Sequence, residues 1–146
     1  MVGMCVTLRD VAVVREPIDS LVARHAHSAK EVTIVSPWIS EAAIEGLRPV
    51  LDKKKLQIIM LPSQFQRNND VGAVKRLKNV DLFAGLVHAK LYMFKNDDGT
   101  TTALFGSGNL TRSPMEELML RSTEPWLNGQ LEESLRNFRS HCTKWM

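Results

Sequence analysis

The chain has 146 residues, 44% of them hydrophobic and 24% charged, with 19 Lys and Arg against 16 Asp and Glu for a net charge of +3. That length and balance fit one globular domain with a real core, exclude disorder as the main state, and permit a nucleic-acid partner without requiring one. No stretch approaches the roughly 20 apolar residues that cross a bilayer, and Cys5 and Cys142 lack metal-ligand spacing and read as reduced thiols, so a cytoplasmic protein is expected.

Two short β-prone runs within Met4 to Val14, around Leu8-Arg9-Asp10, predict an opening strand or edge element. After Pro17, which suits a first helical position, Ile18, Leu21, Val22, Ala26 and Ala29 recur at the spacing of one helix face. His25 and His27 fall two apart in that helix and point to different faces, which argues against a metal pair. Glu31 to Val35 reads as a short buried strand closed by Ser36-Pro37-Trp38-Ile39-Ser40, and a helix with Ile44, Leu47 and Leu51 inward follows. This order suggests βαβ units, and ligands often sit at the carboxyl ends of such strands. Trp38 therefore has two readings: a site wall that stacks a base or sugar, or a core or interface tryptophan.

Lys53-Lys54-Lys55 reads as a solvated helix end before the strand Leu56 to Leu61. Pro62 ends that strand, and the polar loop Ser63 to Asn69, which carries Arg67, is either a substrate-contacting loop or a plain surface connection. Asp70 can cap a helix with Val71, Val74 and Leu77 inward and Lys75, Arg76 and Lys78 outward. Those cations and the lysine run form either a surface for phosphate backbones or a solvated face. Val80 to Phe83 is the next strand, and Gly85 relaxes the chain before the most informative stretch.

Leu86 to Phe94 and Thr100 to Phe105 are strand-like runs joined by the turn signal Asn96-Asp97-Asp98-Gly99, which spells a β-hairpin. Strand alternation places His88, Lys90 and Tyr92 on one face. The second strand delivers Gly106-Ser107-Gly108-Asn109, a glycine-flanked turn that brings a hydroxyl, an amide and backbone N–H groups toward a following helix; these are parts that bind anions. Ser113-Pro114-Met115-Glu116 spells a capping box for that short helix, and Leu118-Met119-Leu120 either continues it or forms a strand. A last helix from about Gln130 aligns Leu131, Leu135, Phe138, Cys142 and Trp145 in a narrow stripe that must cover the sheet or a partner.

His88-x-Lys90, followed one hairpin later by Gly106-Ser107-x-Asn109, resembles the HxK…GSxN motif of the phospholipase D superfamily, most closely its small nuclease branch. The resemblance implies an α/β fold, a mixed β-sheet flanked by helices on both faces, as one domain over residues 1–146 with a single motif, and it favours a strand for Leu118 to Leu120. It implies a metal-independent phosphodiesterase, without cofactor, in which one histidine forms a covalent phosphohistidine and a histidine from a second motif protonates the leaving oxygen. The residue types suit that chemistry, since a neutral imidazole is a nucleophile and a protonated one an acid. Lys90, Ser107, Asn109 and the turn amides can stabilise phosphate oxygens. The implied catalytic set is His88, Lys90, Ser107 and Asn109; the candidates for substrate contact are Gly106 and Gly108 of the turn, with Trp38 and Arg67 from the strand-end and loop readings above. With one motif per chain, a homodimer supplies the second histidine. The expected partner is nucleic acid, DNA ahead of RNA, and not a membrane.

Two positions depart from the family pattern: Lys95 stands where an Asp follows the lysine by five residues, and Leu120 where many relatives carry a Glu eleven residues beyond the asparagine. Asp97 and Asp98 belong to turn chemistry, and the capping box accounts for Glu116, which leaves Glu117 as the candidate replacement carboxylate. These departures keep open a second reading, a binding module that has the phosphate pocket without the full catalytic set. Lipid hydrolysis is the weakest reading, because no amphipathic membrane-surface helix with basic flanks is present.

Overall fold

Short apolar segments with period-two patterning assemble into one mixed sheet in the computed structural model, which describes residues 10–66 and 68–145. Its strands are β1 (Val11–Glu16), β2 (Ala29–Val35), β3 (Lys55–Met60), β4 (Val80–Ala84), β5 (Leu91–Asn96), β6 (Thr101–Gly106), β7 (Glu117–Ser122) and the short β8 (Thr143–Lys144), in the order β1-β7-β6-β5-β2-β3-β4-β8. β2, β3 and β4 run parallel, and every other pairing is antiparallel. Helices α1 (Ile18–His27), α2 (Glu41–Leu51) and α3 (Asn68–Lys75) cover one face, and α4 (Pro125–Arg139) covers part of the other. This is the α/β architecture that the sequence predicts.

Two cores follow from the two faces. Leu21, Val22, Ile44 and Leu47 meet Ile34, Ile58, Tyr92 and Phe94 on the first, while Leu135, with Leu131 and Phe138, packs on Val35, Ile59 and Met93 on the second. β2 and β3 are buried from both sides, which is why Val32 to Val35 and Ile58 to Met60 read as nearly unbroken apolar runs. Each fully buried side chain of this kind contributes about 1.5 to 3 kcal/mol.

Several boundaries differ from the sequence reading. The first helix ends at Ser28, so Ala29 opens β2 instead of extending the helical face. β1 is an edge strand as expected but runs on to Glu16; residues 4–9 lie outside the described residues. Within the predicted loop of 63–69 the chain forms a 3-10 turn over Pro62–Gln66, and α3 begins at Asn68, so Asp70 sits inside the helix and not at its cap. Gln64 is buried, and its Oε1 accepts the Ile39 N–H at 2.8 Å, which makes it part of the scaffold. Arg67 lies outside the described residues.

No helix follows the glycine turn: residues 111–116 are an irregular connection into β7, and the Ser113 hydroxyl accepts the Met115 N–H at 3.2 Å in a local turn. The capping-box pattern fails there because β7 is claimed on both sides, by β6 and β1. α4 starts earlier than predicted, where Glu124 accepts the Trp126 N–H and Pro125 opens the first turn. It ends at Arg139, so Trp145 leaves the helical stripe and instead donates its N–H to Leu82 O at 2.7 Å beyond β8. Of the basic residues around α2 and α3, Arg76 meets Glu45 at 2.8 Å and Glu41 at 3.5 Å, and Lys55 meets Glu31 at 3.8 Å. Among the described residues, no helix is long and apolar enough to cross a membrane.

His25 packs its ring 5.6 Å from that of Phe94, and its buried Nε2 has no hydrogen-bond partner among the described residues. Burial first, and then the charges of Arg24 and Arg121, hold its pKa below the ordinary 6.5. A depressed histidine pKa means that the unfolded chain binds the proton more readily than the folded one. Stability is therefore complete above about pH 6.5 and declines as pH falls toward the folded-state pKa. Urea unfolding of wild type and His25→Phe between pH 8 and 5 checks this, with a shallower decline expected in the variant.

Candidate active site

The parallel strands fix a pole of the molecule. β2, β3 and β4 end there at Val35, Met60 and Ala84, β5 begins there opposite Val35, and β6 ends where β7 begins. In an α/β sheet, this is the end at which loops gather functional groups.

The two halves of the motif meet at this pole. β5 starts at Leu91, paired with Phe105, and the Gly106 N–H donates to Lys90 O at 3.3 Å. His88 and Lys90 therefore precede the strand instead of lying on it, and the 85–90 connection, not strand alternation, sets the direction of His88. His88 is exposed and Lys90 half-buried. Tyr92, assigned by sequence to the same face, is fully buried, and its hydroxyl donates to Gly108 O at 2.7 Å. Burial pushes the Tyr92 phenol above its ordinary range, so it remains a donor that holds the glycine turn.

Ser36, immediately after β2, is the residue that sequence reasoning missed. It is completely buried, donates to Trp38 O at 2.6 Å, accepts the Leu110 N–H at 2.9 Å, and lies 3.4 Å from Asn109 Oδ1. The Trp38 N–H also reaches Asn109 Oδ1 at 3.3 Å, and the Ser40 N–H donates to Leu110 O at 2.9 Å. These bonds stitch the end of β2 to the motif turn and fix the Asn109 side-chain carbonyl there. Half-buried Trp38 thus supports the site through its backbone. The available signal was a hydroxyl placed directly after the apolar run Val32 to Val35.

The glycine turn works differently from its sequence reading. The Ser107 N–H donates to Leu118 O at 3.2 Å and the Gly108 N–H approaches Met119 Sδ at 3.4 Å, while the Gly106 N–H is held by Lys90. Three amides expected to cradle an anion are thus committed to the sheet. The Ser107 hydroxyl donates to Glu117 Oε2 at 2.7 Å, which places the Glu117 carboxylate beside the motif serine. Lys95 lies toward the far end of β5 and pairs with Glu31 at 3.7 Å and Glu132 at 3.8 Å, while Leu120 sits between Phe105 and Val13 in the sheet. Neither departure from the family pattern leaves an unpaired charge at the pole.

The geometry can be set beside solved structures. Nuc from Salmonella typhimurium, a phospholipase D family member, matches with a TM-score of 0.70 at 16% identity, over 92% of this chain and 97% of its own. The fold is that of the phospholipase D superfamily. NucT from Helicobacter pylori gives the same TM-score of 0.70 at 16% identity, over 92% of this chain and 98% of its own. TrmBL2, an archaeal chromatin protein with a novel mode of DNA binding, matches at 0.65 and 15% identity, over 98% of this chain and 56% of its own. No protein-family model matches the sequence, and no curated protein matches it. The phospholipase D fold is thus recovered through structure at low identity, with the His88 and Ser107 segments at its sheet pole.

Proposed function

We propose that the chain is a phosphodiesterase that cuts nucleic acid, DNA ahead of RNA, without a metal and through a covalent phosphohistidine at His88, in a homodimer that shares one site. The observation that carries this reading is the junction of His88-x-Lys90 with Gly106-Ser107-x-Asn109, closed by the Gly106 N–H to Lys90 O bond at 3.3 Å. An imidazole nitrogen of His88 attacks phosphorus, the N–P bond forms, and the bond to the leaving oxygen breaks. That oxygen takes its proton from His88 of the partner subunit. Water then attacks phosphorus, gives its proton back to that imidazole, and the N–P bond breaks. Lys90 neutralises a non-bridging oxygen and Asn109 Nδ2 donates to another. Ser107 joins them by exchanging Glu117 for a phosphate oxygen.

Cleavage of labelled single- and double-stranded DNA and RNA in excess chelator tests the proposal. Cutting is expected to persist; intact substrate with a verified dimer would overturn it. The commitment of the turn amides and of the Ser107 hydroxyl favours a second reading, a nucleic-acid-binding module. That module would bind with a steep salt dependence and leave its ligand uncut.

A further inference from the structure

α4 has a different surface on each flank. On the flank toward the pole, Leu131, Leu135 and Phe138 line a concavity with His88. On the other flank the sheet turns polar. Val35 and Ile59 lie under the helix, but Thr33 and Gln57, two residues earlier on the same face, border an open groove of about 290 Å³. Glu31, Lys55, Lys95, Glu132, Arg136 and Arg139 form its walls. Leu135 borders both this groove and the concavity beside His88, so the helix stands between the two.

The cations of the groove outnumber its carboxylates and are held loosely by them. Lys95 Nζ stands 3.7 Å from Glu31 and 3.8 Å from Glu132, and Lys55 Nζ stands 3.8 Å from Glu31. These distances exceed the roughly 2.7 to 2.9 Å of a charge-assisted hydrogen bond, so the ammonium protons remain available to another acceptor. Arg139 donates to the Gln57 side-chain carbonyl and meets no carboxylate among the described residues. The exposed Arg136 side chain has no polar partner among them, and neither has the Thr33 hydroxyl. The two arginines stand three residues apart on α4, neighbours on one helix face that both line the groove. Four cations against two carboxylates leave two positive charges in excess.

We propose that this groove binds a phosphate monoester, carried either by a small molecule or by the end of a nucleic-acid strand. Such a group brings about −1.5 to −2 charges at neutral pH and three strong acceptor oxygens. It therefore matches the excess charge and offers the forks of Arg136 and Arg139 the paired oxygens that guanidinium groups favour. A carboxylate or a phosphodiester brings a single charge and leaves the excess half neutralised. The groove is near the lower end of the roughly 300 to 1,000 Å³ of ligand pockets, which suits a phosphate with its first substituent. The assignment requires neither His88 nor the phosphohistidine reading.

Phenyl phosphate titrated into the isotope-labelled full chain, followed by backbone amide resonances, tests it. Saturating shifts are expected at Thr33, Gln57, Lys95 and Arg136. Arg136→Gln, at an exposed position that leaves folding intact, and Arg139→Gln are each expected to weaken binding about tenfold or more. Glu132→Gln is expected to tighten it about threefold, because losing a carboxylate raises the excess positive charge. Affinity should fall as pH is lowered through the second phosphate pKa of about 6. An oligothymidylate with and without a terminal phosphate distinguishes the sources: a strand-end site prefers the phosphorylated oligomer to phenyl phosphate, and a small-molecule site does not. Shifts confined to the motif pole, shifts that do not saturate, or binding that survives both arginine changes overturn the assignment. Groove binding by a chain that cuts no nucleic acid upholds it and rejects the phosphohistidine reading, so the two failures are distinguishable.

Discussion

His88→Ala is expected to reduce nucleic-acid cleavage by about four orders of magnitude or more, while folding, dimer mass and binding persist. The size of the effect follows from symmetry: one substitution removes the nucleophile from one subunit and the acid from the other. His88 is exposed, so its loss leaves no cavity. A dilution experiment makes the claim specific. When wild type and His88→Ala are refolded together in equal amounts, a site that needs both histidines survives only in wild-type pairs, about a quarter of all dimers by random assortment. Activity should therefore follow the square of the wild-type fraction. A linear fall to half would mean that each subunit works alone, and the shared site would be abandoned.

The parts of this molecule visible in its sequence are those governed by local pattern. The faces of α1 and α2, the buried runs of β2 and β3, and the Asn96 to Gly99 turn are each set by neighbours within a few residues. The turn closes as expected, with Asp98 Oδ1 accepting the Thr100 N–H at 2.9 Å. What was not legible depends on partners far along the chain. Ser36 is an ordinary serine until Leu110, 74 residues later, lays its N–H on the hydroxyl. Ser113 to Glu116 spells a helix start by every local rule, yet β1 and β6 hold the chain beyond it as strand. Gln64, polar and in a polar stretch, reads as surface until the Ile39 N–H is found on it. Tertiary hydrogen bonds override local preference in each case, and a single sequence does not encode which distant group will arrive.

Gly106→Ala is expected to destabilise the fold by about 3 kcal/mol or more, and to take activity with it. The backbone at Gly106 has φ +157°, a region that side chains rarely adopt. An added Cβ would stand 2.4 Å from Leu118 O and 3.0 Å from Met119 Cα, both backbone atoms of β7. A flexible side chain could move aside, but a strand paired with β1 and β6 cannot do so without breaking its ladder. The same displacement would pull Leu118 O from the Ser107 N–H and Glu117 from the Ser107 hydroxyl, so the motif serine would lose its position. Urea unfolding of the variant, with cleavage measured well below its midpoint, separates the two effects; a loss under about 1 kcal/mol would show that β7 yields more easily than its pairing implies. The first glycine of the motif is thus required for close approach of two strands. Its N–H is held by Lys90 O, and its lack of a side chain lets β7 come near enough for Glu117 to hold Ser107.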